Sequence, residues 1–474
     1  MIRLADVTWS YPNAGVPSLH AVDLHVAPGE FVVLCGASGS GKSTVLRLMN
    51  GLVPHFHDGG TLTGTVTVDG IVTAAAELDE IGLVTGTILQ HPRRQFFTDT
   101  AREETAFAME NFGFPPDEIR ARVADTMAEL AASLPVEQRL QHLSGGQQQQ
   151  VAIAAGTAHG PRILLLDEPS SNLSADAVAR LATTLGELAE QGVTIVVAEH
   201  RLRYLQALLD RVVVMRDGAI AVEWSAAEFR AVPDDELARE GLRGDVRAAD
   251  LPPAPAAGVS VAEPAPPQEP AAGGLELADV RCRLGGRTVL DLEHAVFPAG
   301  RVTAIRGRNG SGKSTLGRIV TGLQRSSGTI RLDGRAMSRR ARQRACAIVM
   351  QDVQRQLFTE SVSAEVALAA RGTRHAVDTE AMLAALDLAH LAERHPLSLS
   401  GGQQQRLVVA AARVAGRRVV VFDEPSSGVD RRHLQSISDQ IRGIAAAGAV
   451  VLLISHDEDL LALAADAQLT LTRP

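Results

Sequence analysis

Short unbroken apolar runs recur along this chain of 474 residues. Phe31–Cys35, Ile163–Leu166 and Val193–Val197 fall in the first half, and Val302–Ile305, Val419–Phe422 and Val450–Ile454 in the second. Each has the length of a strand and none alternates apolar with polar, which predicts parallel strands covered on both faces. Alanine-rich stretches of helical character separate them, so the predicted class is α/β. A helical insert is expected over about Asp99–Gln141 and again over about Ser361–Pro396.

The pattern is an internal duplication. Leu4-Ala-Asp-Val7 opens the first copy and Leu277-Ala-Asp-Val280 the second. Ser144 precedes Asp167 by 23 residues, as Ser400 precedes Asp423, and Glu168 precedes His200 by 32, as Glu424 precedes His456. A register held over that length means two copies of one fold. The expected domains are 1–243 and 275–474. The segment 244–274 between them is rich in proline and alanine, has few large apolar residues and reads as a semi-extended tether. At about 3.1 Å per residue its stretched reach is on the order of 90 Å.

Composition narrows the function classes. Hydrophobic content of 45% and charged content of 21% are those of globular domains. A net charge of −9 leaves no overall basic surface for nucleic acid. The three cysteines, Cys35, Cys282 and Cys346, show no C-x-x-C spacing, which argues against a zinc or disulfide framework and for a reducing compartment. No secretory leader and no run of about 18 apolar residues is visible, so work at a membrane is expected to go through a partner.

Two glycine-rich segments carry the first candidate chemistry. Gly36, Ala37, Ser38, Gly39, Ser40, Gly41, Lys42, Ser43 and Thr44 fit G-x-x-x-x-G-K-[ST]. So do Gly307, Arg308, Asn309, Gly310, Ser311, Gly312, Lys313, Ser314 and Thr315. Each follows a predicted strand, as a phosphate-cradling loop requires: backbone N–H groups and the helix terminus face the phosphates, Lys adds charge, and the Ser hydroxyl is placed to ligate Mg²⁺. Asp167-Glu168-Pro169 and Asp423-Glu424-Pro425 end buried strands. There the Asp suits Mg²⁺ and the Glu suits a water-activating base. Ser144, Gly145, Gly146 and Gln147, matched by Ser400, Gly401, Gly402 and Gln403, form a second type of anion-binding turn at a helix start. The glutamine runs Gln147–Gln150 and Gln403–Gln405 are expected to be solvated helix faces.

With Gln90 and Gln351 after strands and His200 and His456 downstream, the chain resembles the ABC-transporter ATPases, over both halves and all but the tether. The resemblance implies two P-loop NTPase domains, each with a helical insert, docked head to tail as an intramolecular pseudo-dimer. It also implies two ATP sites. One joins Lys42, Ser43, Gln90, Asp167, Glu168 and His200 to Ser400 and Gly402. The other joins Lys313, Ser314, Gln351, Asp423, Glu424 and His456 to Ser144 and Gly146. Ser43, Gln90 and Asp167, and Ser314, Gln351 and Asp423, are the implied Mg²⁺ ligands. Tyr11 takes the place of the adenine-stacking aromatic, and its counterpart Leu284 has no ring, which implies unequal sites. Ser174 stands where the family places the Asp that the second copy has in Asp430.

The segments Gln90–Thr100 and Gln351–Ser361 share Gln-x-x-x-x-Gln-[Leu/Phe]-Phe-Thr-[Asp/Glu], followed by Glu104 or Glu365. This is similar to the ATPases of energy-coupling-factor (ECF) importers of vitamins and transition-metal ions. It implies a membrane-embedded T component and a substrate-binding S component as partners, with peripheral attachment at the cytoplasmic face of the inner membrane. His55, His57 and Asp58 have the composition of a metal site, but the second copy has no equivalent and a loop accident is favoured. Two alternatives stand beside the ECF reading, a twin ATPase of a sugar or nucleoside importer and a soluble ribosome-associated tandem ATPase. The Pro/Ala/Glu-rich tether weighs against the latter. The transported substrate is not legible in this chain.

Overall fold

Each of the six apolar runs forms a strand. The computed structural model describes residues 1–12, 15–132, 134–171, 173–242, 250–254, 273–308, 310–371, 378–426, 429 and 431–472. Two units result, Met1–Asp245 and Val246–Pro474.

In the first unit the strands run in the order Ala219–Ser225, Arg211–Arg216, Phe31–Cys35, Thr194–Ala198, Ile163–Asp167, Thr85–Ile88. All neighbours are parallel except the edge hairpin made by the first two. Side-chain alternation sends Val32, Leu34, Leu165 and Val196 to one core and Phe31, Val33, Leu164, Leu166 and Val197 to another. The first core is closed by a four-stranded antiparallel sheet (Leu19–Val26, Ile2–Ser10, Thr61–Val68, Ile71–Val72). The second is closed by helix Ala175–Glu190 through Ala177, Leu181 and Leu185. Two covered faces are why these strands are apolar at every position.

The second unit repeats the plan with a five-stranded, all-parallel sheet: Cys346–Val349, Val419–Asp423, Val450–Ile454, Val302–Arg306, Ala467–Thr470. Its helix Arg431–Ala446 covers one face through Leu434, Ile437 and Ile441. The antiparallel sheet Arg287–Pro298, Gly274–Leu284, Thr329–Leu332, Arg335–Ala336 covers the other. The repeated Leu-Ala-Asp-Val has a backbone cause. Asp6 and Asp279 sit at φ +49° and +53°, and their carbonyls press on Gly64 and Gly328, where a Cβ would collide with them. The motif is a strand irregularity matched to a glycine in the neighbouring strand, Gly64, or directly before it, Gly328.

The inserts are helical as expected. Ala101–Asn111 and Pro116–Ala131 precede Gly145–Thr157 in the first unit, and Val362–Ala370 and Thr379–Ala385 precede Gly401–Val414 in the second. Part of the segment expected to be a tether is fastened down. Leu251 joins the core of the second unit, Gln468 N donates to Pro252 O at 2.8 Å, and Ala254 N donates to Gln468 O at 2.7 Å. An extended piece of chain offers backbone donors and acceptors that a sheet edge can pair. Within the expected tether, 244–249 and 255–272 lie outside the described residues.

Candidate functional site

Both phosphate-type loops join a parallel strand to a helix. Strand Phe31–Cys35 ends at Gly36, φ +135°, where any side chain would run into the Met215 carbonyl and Ser40. Gly307 repeats this at φ +140° against the Leu471 carbonyl and Ser311. Only glycine fits such a position. Helices Lys42–Met49 and Lys313–Val320 start after left-handed glycines with no side-chain cap, so their first N–H groups face the loop. The Lys42 ammonium folds back on the loop, donating to Gly36 O and Ala37 O, both at 2.9 Å. Lys313 donates to Gly307 O at 2.7 Å and Arg308 O at 3.3 Å. Asn309 lies outside the described residues.

Across from the first loop, Ser43 Oγ donates to Asp167 Oδ1 at 2.9 Å. Burial, then the neighbouring Glu168, pushes the Asp167 carboxyl up to about 6. Glu168 sits at φ +45°, an uncommon conformation for a side-chain-bearing residue. There its carboxylate meets Gln90 Nε2 at 2.7 Å, Ser171 Oγ at 3.1 Å and His200 Nε2 at 3.2 Å. Burial acts to raise its pKa, but His200, Lys42 and Ser171 outweigh it and hold Glu168 below its ordinary value. Gln90 donates through its amide nitrogen and so leaves an amide oxygen. Ser43, Asp167 and Gln90 thus make a set of hard oxygen donors, one a buried carboxyl that a cation would relieve, and this fits Mg²⁺.

The second site has the same residues held differently. Glu424 is also left-handed, φ +55°, but Oε2 accepts from Ser455 Oγ at 3.3 Å and His456 N at 3.2 Å. His456 Nε2 is 3.8 Å from Oε1, its side chain 29% exposed against 6% for His200. Gln351 is exposed. Burial raises Glu424 to about 7 and also raises Asp423, against the opposing Ser314 hydrogen bond.

Ser144 and Ser400 cap helices Gly145–Thr157 and Gly401–Val414, and Gln147 and Gln403 complete reciprocal capping boxes. The next glutamines are not a solvated face. Gln148, Gln149, Gln404 and Gln405 are all 3% exposed or less. Arg93 Nε donates to Gln148 Oε1 at 3.0 Å, Gln354 Nε2 to Gln404 Oε1 at 3.1 Å, and Gln405 Nε2 to Glu424 O at 3.2 Å. These buried amides tie the helix behind each Ser-Gly-Gly turn to the loop after Gln90 or Gln351, and in the second unit to the strand end bearing Glu424. A polar run longer than the exposed arc of a helix was the available signal, because consecutive residues cannot all face solvent.

Tyr11 is pinned: its hydroxyl is 3.2 Å from Thr44 Oγ1, and its ring packs edgewise on His57 at 4.9 Å and on Trp9 at 5.6 Å. His57 is thereby engaged, and His55 Nε2 is 2.9 Å from Ala76 O. No metal-holding cluster occurs among the described residues. Leu284 is exposed. Ser174 precedes helix Ala175–Glu190, while Asp430 lies outside the described residues. Glu104 accepts from Phe97 N, Thr98 N and Thr98 Oγ1 at 2.8–3.0 Å, and Glu365 from Phe358 N, Thr359 N and Thr359 Oγ1 at 2.9–3.1 Å. Both buried carboxylates hold a loop that presents an exposed ring, Phe97 at 75% and Phe358 at 77%.

Two α/β units, each with a glycine-rich loop and a strand-end acidic pair, define a duplicated P-loop nucleotide hydrolase. Residues 19–171 and 294–427 both match the family model described as ABC transporter, and the chain belongs to this family as an ABC ATPase. A protein of Treponema denticola named as an ABC transporter ATP-binding protein is 37% identical over 96% of this chain and 92% of its own. One of Streptomyces coelicolor is 35% identical over 98% and 90%. Archaeal ABCE1, in a structure with ribosome-bound Pelota, matches 98% of this chain and 76% of its own with a TM-score of 0.67, at 21% identity, which speaks to fold alone.

Proposed function

We propose that this chain is the ATP-binding and ATP-hydrolysing subunit of an ECF-type importer for a vitamin or transition-metal ion. Its partners in this reading are a T component and an S component in the membrane, to which it attaches peripherally at the cytoplasmic face. The observation that carries the reading is the duplicated Gln-x-x-x-x-Gln-[Leu/Phe]-Phe-Thr-[Asp/Glu] segment. In both units Gln95 or Gln356 accepts a backbone N–H at its base (2.8 and 2.7 Å), and Glu104 or Glu365 fixes its Phe outward. A rigid loop with an exposed aromatic suits docking against an apolar helix of a membrane partner. The transporter names of the relatives agree with it.

In the proposed reaction the two domains, 1–243 and 275–474 joined through 244–274, close head to tail on two ATP molecules. The loop N–H groups from Gly36 to Thr44 and from Gly307 to Thr315, with Lys42 and Lys313, bind the phosphates. Ser144 to Gln147 and Ser400 to Gln403 close on them from the opposite half, and Tyr11 stacks on one adenine. Mg²⁺ held by Ser43, Asp167 and Gln90, or by Ser314, Asp423 and Gln351, would neutralise phosphate charge. Glu168 or Glu424 takes the proton of the attacking water as its oxygen bonds to the γ-phosphorus and the bond to ADP breaks. His200 or His456 orients that carboxylate and faces the γ-phosphate.

Detergent extraction of the tagged full chain tests the partner assignment: two small, very hydrophobic membrane proteins should come with it. Recovery of rRNA instead would end the transporter reading. For the chemistry, Glu168→Gln and Glu424→Gln should each lower ATP turnover. If either leaves it unchanged, two hydrolysing sites are excluded.

A further inference from the structure

The two sites differ at the position just before the histidine. Glu199 directly precedes His200, where the second copy has Ser455 before His456. It is 2% exposed. Its Oε1 accepts from His200 N at 2.8 Å and Arg201 N at 3.2 Å, and its Oε2 from Ser170 N at 3.3 Å and the Tyr204 hydroxyl at 3.0 Å. Ser170 belongs to the turn after Glu168. The other three donors belong to the loop after strand Thr194–Ala198. One side chain therefore stitches together the two loops that carry Glu168 and His200. Burial and the facing Glu199 push the Tyr204 phenol well above its ordinary value, so it stays a donor.

The second copy is built otherwise. Ser455 Oγ donates to Glu424 itself and accepts from Asp457 N at 3.0 Å, and Leu460 takes the place of Tyr204. There the Glu424 side chain itself accepts from the histidine loop, through Ser455 Oγ and His456 N, and the His456 ring is farther from its carboxylate than His200 is.

We propose that Glu199, braced by Tyr204, is a positioning residue of the first site: it locks the His200 loop onto the Glu168 turn so that imidazole and carboxylate already face each other before nucleotide arrives. This rests on the proposed roles of Glu168 and His200. Tyr204→Phe removes one hydroxyl and little volume. Glu199→Gln keeps the shape but turns an NH₂ toward donors.

The test is hydrogen–deuterium exchange of the full chain without nucleotide, followed by ATP turnover. In both variants the amides of Ser170, His200 and Arg201 should exchange about tenfold faster, while 424–426 and 455–457 stay unchanged. The kcat should fall by about half or more with KM for ATP within about twofold, since positioning rather than binding is lost. Unchanged local exchange overturns the proposal. Faster exchange with unaltered kcat also overturns it, making Glu199 merely structural, as does exchange accelerated throughout the first unit. If instead Glu168→Gln leaves turnover intact, the catalytic reading fails while the exchange result stands on its own.

Discussion

Replacing Glu168 and Glu424 by glutamine, one at a time, should move the stability of the nucleotide-free protein in opposite directions. Glu168 receives Gln90, Ser171 and His200 within 3.2 Å. Glutamine has one acceptor oxygen for that set and points an NH₂ at the remainder. Losing a hydrogen bond to a charged group costs about 1.5–3 kcal/mol. At roughly 2–4 °C per kcal/mol for a unit of this size, the first unit should melt about 3–12 °C lower. A carboxyl whose folded pKa is depressed contributes stability above its unfolded value and loses it as pH falls, so the deficit is complete at pH 8.

Glu424 has the reverse sign. Its folded value is about 7 against an ordinary 4.5, with burial as the main cause. An acid with a raised folded pKa binds its proton more tightly when folded, so stability falls as pH rises from about 4.5 to 7 and the penalty is fully present at pH 8. Glu424→Gln removes it, for a gain of about 3 kcal/mol at pH 8 and under about 1 kcal/mol near pH 5. Scanning calorimetry in EDTA at both pH values reads the two signs. Equal destabilisation by both substitutions, or a Glu424→Gln gain that ignores pH, would refute the reasoning.

Tyr11→Ala should weaken the tighter class of ATP sites by about 2- to 13-fold, the range of an aromatic contact worth 0.5–1.5 kcal/mol. A titration with a fluorescent ATP analogue measures it, and an effect on the weaker class alone would reassign Tyr11. Leu284→Tyr should recover less than that factor, because no partners equivalent to Trp9 and His57 pin the new ring. Cys35 and Cys346 are buried and their thiols pushed up, Cys346 to about 11, and Cys282 is buried too. The native chain should therefore be inert to a thiol reagent at pH 8 over minutes and react at all three cysteines in denaturant; fast labelling of the folded chain would contradict the burial.

The parallel strands were legible because burial on both faces forces an apolar residue at every position, and Val419–Phe422 shows this without ambiguity. The phosphate-type loops were legible because Gly36 and Gly307 occupy conformations no other residue tolerates. The antiparallel sheets were not, since their exposed faces dilute the pattern. Leu-Ala-Asp-Val marked the duplication without revealing that its Asp is a left-handed residue set against Gly64 or Gly328. Gln148 and Gln404 misled for another reason: a polar side chain counts as exposed in any periodicity argument until a buried partner is known. Leu251 was masked by the prolines around it.

The asymmetry between the copies shows where sequence reading stops. Tyr11 against Leu284 is a difference of residue type and could be read directly. Gln90 against Gln351 is the same residue twice, yet one amide reaches its glutamate and the other side chain is exposed. Glu199 against Ser455 looks like a conservative polar exchange, yet one gathers backbone donors from two loops while the other donates its hydroxyl to Glu424 itself. All three differences act in one direction, toward a first site whose groups are already in contact and a second whose groups are present but not gathered. Because both copies keep Lys, Ser, Asp, Glu and His, the chemistry available to them is the same. What should differ is the assembly step, with the second site depending more on bound nucleotide to bring Gln351 and His456 onto Glu424.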